Sequence, residues 1–252
     1  MEIIIEKNKE YAFQSFFRKL KAEHKGKPGM FANLEIPQDL VNRAGPLSGI
    51  KKDELNDAQK EVRNEAERFF ERLWSLKQSE IDNVLNLLMT AGEYFDWLTK
   101  KIPDYTDLVW PYEKIFIYPN IHSWATKAGP YMSVGIAPRR FLEEDFVPVL
   151  VHELIHVNTD NLKYPDLRYP QDADEIADGL VTNKIVHELN SEFGVSIRDL
   201  NLPWPLRSYD KDLGYLNDIT VGRNSFREIL KEVDDFLFSH NHQEVYKNKT
   251  LE

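Results

Sequence analysis

Apolar residues recur along this chain at two different spacings, and each change of spacing marks a change of structure. Between Tyr11 and Ala22, Phe13, Phe16, Phe17 and Leu20 return every three or four positions, which predicts an amphipathic helix after a short Ile3–Ile5 strand. Residues 25–50 hold Gly26, Pro28, Gly29, Pro37, Gly45, Pro46 and Gly49, the pattern of a long irregular connector. From Asp53 to Lys101 the helical period returns in two stripes. Leu55, Ala58, Val62, Ala66, Phe69, Phe70 and Leu73 form the first, and Ile81, Val84, Leu85, Leu88 and Phe95 the second. The polar stretch Ser75 to Ser79 between them predicts a turn, with Ser79 as N-cap of the second of two antiparallel helices.

At Lys114 the spacing shortens. Lys114 to Tyr118 and Tyr131 to Ala137 are β-branched, aromatic or alternating, and predict two strands joined by a glycine-containing loop. The chain then reads as helical to about Leu189, passes a loop at Pro203 and Pro205, and ends in a helix from Phe226 to Phe238. The fold class predicted is α+β, predominantly helical. A helical region over residues 1–102 packs on a second part over 103–252, or the two form one continuous domain.

Composition narrows the chemistry. With 42% hydrophobic and 12% aromatic residues, the 252-residue chain can bury a core. Its 32 basic against 42 acidic residues give a net charge of −10, which repels phosphate backbones and predicts no nucleic-acid partner. There is no cysteine, so disulfides, thiolate zinc sites and cysteine nucleophiles are excluded, and a metal would need His, Asp or Glu. The opening Met1-Glu2-Ile3-Ile4-Ile5-Glu6 lacks the basic and apolar regions of a secretory signal. No uncharged apolar stretch approaches the ~20 residues that cross a bilayer. The expectation is a soluble cytoplasmic protein without a membrane partner.

One segment combines polar chemistry with an apolar setting. Residues 149–157 read Val-Leu-Val-His-Glu-Leu-Ile-His-Val. His152 and His156 are four apart, so a helix stacks them one turn above each other, able to share one cation. Glu153 then lies beside that cation, within reach of a bound water. In the surrounding apolar run, two imidazoles and a carboxylate are costly to bury without a partner, and a divalent ion would supply one.

This His-Glu-x-x-His pattern resembles the zincin metallopeptidases. Thr159 and Leu162 stand where a metzincin has its glycine and third histidine, so the resemblance is to the gluzincin branch. That branch takes its third zinc ligand from a carboxylate on a following helix and orients its first histidine with an Asp. In Asp172-Ala173-Asp174-Glu175-Ile176-Ala177-Asp178 two registers compete. Either Asp174 is the ligand, four residues before an orienting Asp178, with Asp172 and Glu175 forming a helix capping box. Or Glu175 is the ligand, with eighteen residues between it and His156, and Asp178 itself is the third alternative.

The resemblance, which covers roughly residues 114–190, implies a zincin-like catalytic domain over 103–252 and one Zn²⁺ per chain. It also implies hydrolysis of peptide or protein substrates by a metal-activated water, with Glu153 as general base. An oxyanion donor is expected among Tyr164, Tyr169, His187, Tyr209 and Tyr215, with Tyr169 and Tyr215 preferred. Substrate is expected to pair as an added strand along Met132 to Ile136. The alternative is a zincin-like metal-binding or regulatory protein that cleaves nothing. His240-Asn241-His242, His24, His122 and the pairs Lys100-Lys101 and Arg139-Arg140 read as loop or solvated surface residues.

Overall fold

A computed structural model describes residues 1–24, 34–121, 126–135, 143–164, 166–200 and 225–240. The chain divides into two compact units, each discontinuous in sequence. One comprises Glu2–Glu93 with Lys114–Leu142, the other Tyr94–Glu113 with Glu143–Glu252. This division does not follow the single break expected near residue 102: the strands group with the N-terminal helices.

In the first unit, helix α1 (Lys9–His24) buries Ala12, Phe13, Phe16, Phe17 and Leu20, the stripe visible in the sequence. The expected irregular connector contains a short helix, α2 (Gln38–Ala44), and a 3₁₀ turn at Gly45–Leu47. Leu40, Val41, Ala44 and Leu47 join the α1 residues in one core cluster. Gly45 is required by proximity: a Cβ there would lie 2.7 Å from His24 Cβ and 2.9 Å from the Leu20 carbonyl oxygen.

Helix α3 (Asp57–Leu76) buries Arg63, Ala66, Phe70 and Trp74, with Phe70 packed on Phe13, Phe16 and Trp74. It starts in a capping box: Gln59 N donates to Asn56 Oδ1 at 2.9 Å, and Asn56 N donates to Gln59 Oε1 at 3.0 Å. Asn56→Ala is expected to lower stability by about 1 kcal/mol, measured as a shifted urea midpoint with unchanged m-value. Lys77 alone separates α3 from α4 (Gln78–Ala91), so Ser79 lies inside α4 and does not cap it.

The sheet in this unit has the strand order β1-β2-β4-β3, from β1 (Glu2–Ile5), β2 (Lys114–Asn120), β3 (Thr126–Ala128) and β4 (Tyr131–Gly135). β1 and β4 both run parallel to β2, with Ile3 opposite Ile115 and Met132 opposite Ile117. The two strands expected to be joined by a loop are therefore parallel neighbours, and the hairpin is β3–β4. Helices α1 and α4 pack on the sheet, where Ile115, Ile117, Met132 and Val134 are buried. β4 is internal: Tyr131 to Ser133 pair with β2 on one side and β3 on the other. The expected added substrate strand would find that stretch occupied, and Ile136 and Ala137 lie outside the described residues.

The second unit is helical. Helix α5 (Phe95–Thr106) and helix α6 (Glu143–Asn158) pack together, and α6 packs on α7 (Pro170–Phe193), which also meets α8 (Phe226–Ser239). Helix α7 is central. Ala173, Ile176, Ala177, Leu180, Val181, Ile185, Val186 and Leu189 are all buried, so its apolar residues do not favour one face. Its N-cap is Tyr169 with Pro170 at N1, so Asp172 and Glu175 do not form the capping box expected of them in the Asp174 register.

Buried polar pairs pin the helices that carry the candidate site. Asp234 of α8 accepts hydrogen bonds from the amides of Arg168 (2.9 Å) and Tyr169 (2.8 Å) and from Arg168 Nε (2.8 Å), which anchors the start of α7. Thr106 Oγ1 donates to Asn158 Oδ1 at 2.6 Å, which ties the end of α6 to α5. The chain is α+β and mostly helical, as its periodicity predicts. No described helix is long and apolar enough to cross a membrane.

Candidate metal centre

The helical spacing in α6 brings its two histidines together as expected. His152 Nε2 and His156 Nε2 are 3.0 Å apart, with the rings steeply inclined at 79°. Val151, Leu154, Ile155 and Val157 around them are fully buried, and His152 itself is 8% exposed. Such a site holds an unpaired charge at high cost, so the groups facing it decide its chemistry.

Those groups come from α7. Glu175 places Oε2 3.5 Å from His152 Nε2 and Oε1 3.7 Å from His156 Nε2. Asp178, fully buried, places Oδ2 2.5 Å from His156 Nδ1. Asp174 Oδ2 is 3.8 Å from the same Nδ1, and Asp174 Oδ1 accepts a hydrogen bond from Tyr164 Oη at 2.8 Å. The division follows helical geometry, since positions 174 and 178 share a face and 175 is turned about 100° away.

Among the described residues, two sets of donors could therefore hold a cation, His152–His156–Glu175 and His156–Asp174–Asp178. They are not equal. Tetrahedral zinc with bonds near 2.0–2.1 Å holds its ligand atoms about 3.4 Å apart. The first set, with the two Nε2 atoms 3.0 Å apart and the Glu175 oxygens Oε2 and Oε1 reaching one each at 3.5 and 3.7 Å, lies close to that size. In the second, Asp178 and His156 Nδ1 are already at hydrogen-bond distance, and Asp174 is engaged by Tyr164. His152 Nδ1 is buried without a hydrogen-bond partner.

Burial pushes the Glu153 carboxyl above the usual carboxylate range; the two histidines oppose that rise, and Glu175 and Asp178 reinforce it. Burial also acts against a charged His156. The charge and hydrogen bond of Asp178, with Glu153 and Glu175, outweigh it and hold the imidazole pKa up at about 10. Asp174 is raised to about 6, chiefly by burial and then by Asp178. Glu175 is held low: burial acts to raise it, but its hydrogen bond to His152 and both imidazole charges prevail.

The His156 shift carries a pH prediction for the metal-free protein. Its folded pKa of about 10 lies above the unfolded value near 6.5, so the charged pair contributes fully below pH 6.5 and is lost as pH rises towards 10. The urea midpoint of metal-free protein should fall across that window. Asp178→Asn should remove most of this fall, and an unchanged slope in that variant would refute the pairing.

The expected tyrosines fare differently. Tyr169 sets the start of α7 through its backbone, donating N–H to Asp234 and accepting from Ala173 N. Tyr209 and Tyr215 lie outside the described residues. Tyr164, which no spacing singles out, is hydrogen-bonded to Asp174 of the cluster, and burial and Asp174 push its phenol well above the usual range. His187 pairs with Asp199 at 3.2 Å. His240 ends α8, with Nδ1 2.9 Å from the Phe236 carbonyl oxygen, and His122 and His242 lie outside the described residues.

No protein-family model, curated protein or solved structure matches the chain.

Proposed function

We propose that this chain is a cytoplasmic metallopeptidase of zincin-like architecture and gluzincin type, with one zinc held by His152, His156 and Glu175. A single observation carries the reading: two imidazole nitrogens and a carboxylate from the next helix converge within 3.7 Å, with Glu153 adjacent in the same buried helix. Bound there, zinc supplies Lewis acidity towards water and a carbonyl oxygen.

The protein's own groups account for the rest. Asp178, with Oδ2 2.5 Å from His156 Nδ1, faces the far side of the ring whose Nε2 is turned to His152 and Glu175. Asp174 stands behind His156 and is held by Tyr164. Glu153, with its proton affinity raised by burial, accepts a proton from the attacking water and returns it to the leaving amine of a peptide or protein substrate. The buried helix limits competing water around these transfers.

Metal analysis of protein equilibrated with zinc should find one zinc per chain, and His156→Ala should remove it. The zinc-loaded protein should cleave members of a mixed peptide library. A fully loaded protein that leaves the library intact would favour the zincin-like regulatory reading instead.

A further inference from the structure

The sheet-bearing unit contains a second, unrelated site. A cavity of about 840 Å³ lies between α1, α3 and the turn at Gly49–Asp53, a volume within the range of small-molecule pockets. Gly49, at φ +97°, lets this turn follow the 3₁₀ segment and place Ile50, Lys51 and Lys52 along the cavity. Phe13, Phe17 and Phe70, none more than 5% exposed, form its apolar wall.

Arg63 also lines the cavity. It is only 7% exposed, its charge is permanent, and its Nε has no hydrogen-bond partner. The guanidinium sits 5.5 Å from the ring centre of Phe13 and 5.0 Å from that of Phe17. These contacts attract the cation and fix its position, but a ring face cannot satisfy N–H groups as an oxygen does. Two exposed arginines of the same unit are paired, Arg43 forking onto Glu65 and Arg68 reaching Glu61. Glu67, one turn beyond Arg63 on α3, lines the cavity without forming an ion pair with it. Burying a guanidinium without a carboxylate partner is unfavourable unless something supplies the acceptor. The lining as a whole carries five cations against four carboxylates, a net +1 in a chain of net −10.

We propose that this cavity binds a small organic anion, a carboxylate or phosphate monoester, whose oxygens meet Arg63 while its apolar body rests on Phe13, Phe17 and Phe70. The acceptor geometry follows from the guanidinium fork, and the apolar body from the aromatic wall. Arg18, Lys51 and Lys52 line the same space and favour a negative ligand.

Phenylacetate and phenyl phosphate serve as probes, titrated into the 252-residue protein labelled with ¹⁵N-arginine and followed by calorimetry and the Nε–Hε signals. Arg63→Lys assigns the Arg63 signal. At least one anion should bind saturably and move that signal, and benzyl alcohol should bind about tenfold more weakly or worse, because it leaves the guanidinium unsatisfied. Arg63→Met should weaken the binding anion by about tenfold or more while still unfolding cooperatively. The signal readout on wild-type protein decides the matter even where the variant misfolds. An Arg63 signal unmoved by both anions, or benzyl alcohol binding as tightly as the better anion, would overturn the proposal. Inorganic phosphate binding as tightly as phenyl phosphate would overturn the apolar part of it. None of these readouts depends on the metal centre or on peptide cleavage.

Discussion

Glu153→Gln should leave one zinc per chain and reduce peptide hydrolysis by about 10²–10⁴-fold, the range over which a positioned general base contributes. The change keeps the size and shape of the side chain and removes its capacity to take a proton. Glu153 belongs to neither group of converging donors, so the metal should stay. Its carboxyl is raised mainly by burial, and the adjacent imidazoles restrain that rise. A base tuned upward in this way holds a proton from water more readily than an ordinary surface carboxylate. The loss should fall on kcat more than on KM, because the proton moves only during the reaction. Retained metal with hydrolysis within about threefold of wild type would remove Glu153 from the role of base. Loss of zinc in this variant would instead make Glu153 a ligand, and the donor set would have to be redrawn.

Such a test rests on a helix that was legible from residue types alone. The His152–His156 pairing needs only the four-residue step, and the apolar neighbours Val151, Leu154, Ile155 and Val157 mark burial without tertiary information. The aromatic stripe of α1 and the helix at Phe226 were legible for the same reason. Sheet pairing was not. Strand alternation reports which residues share a face but not whether a neighbour runs parallel, and β3 is only three residues long. Helix α2, with seven residues, is too short to display a period. Arg63 carries no such signal, because a charged residue beside an apolar stripe reads as solvated surface. Its place three residues before Ala66 and seven before Phe70 puts it on the buried face instead. No spacing separates Tyr164 from the other candidate donors, since its link to Asp174 depends on tertiary packing.

The competition between Asp174 and Glu175 was unresolvable in sequence because both lie in one run of acids, and variants should now separate them. Glu175→Gln should lower zinc affinity by more than about 100-fold, since it removes a charged group directed at both Nε2 atoms. Asp178→Asn should cost about 10–100-fold, the usual effect of losing the group that orients a ligand imidazole. Asp174→Asn should stay within about tenfold of wild type, at or below the lower end of that range. Its carboxylate is the farthest of the three from a ring nitrogen, at 3.8 Å, and is already engaged by Tyr164. The electrostatics point the same way. Glu175 is held low and thus ionised at neutral pH, whereas Asp174, raised to about 6, would have to surrender a proton more often to act as ligand. Competition titrations with a zinc-binding dye measure all three. An order in which Asp174→Asn is the most damaging would transfer the third ligand to Asp174. Asp178 on His156 would still stand as a departure from the gluzincin arrangement, in which the orienting carboxylate serves the first histidine of the pair.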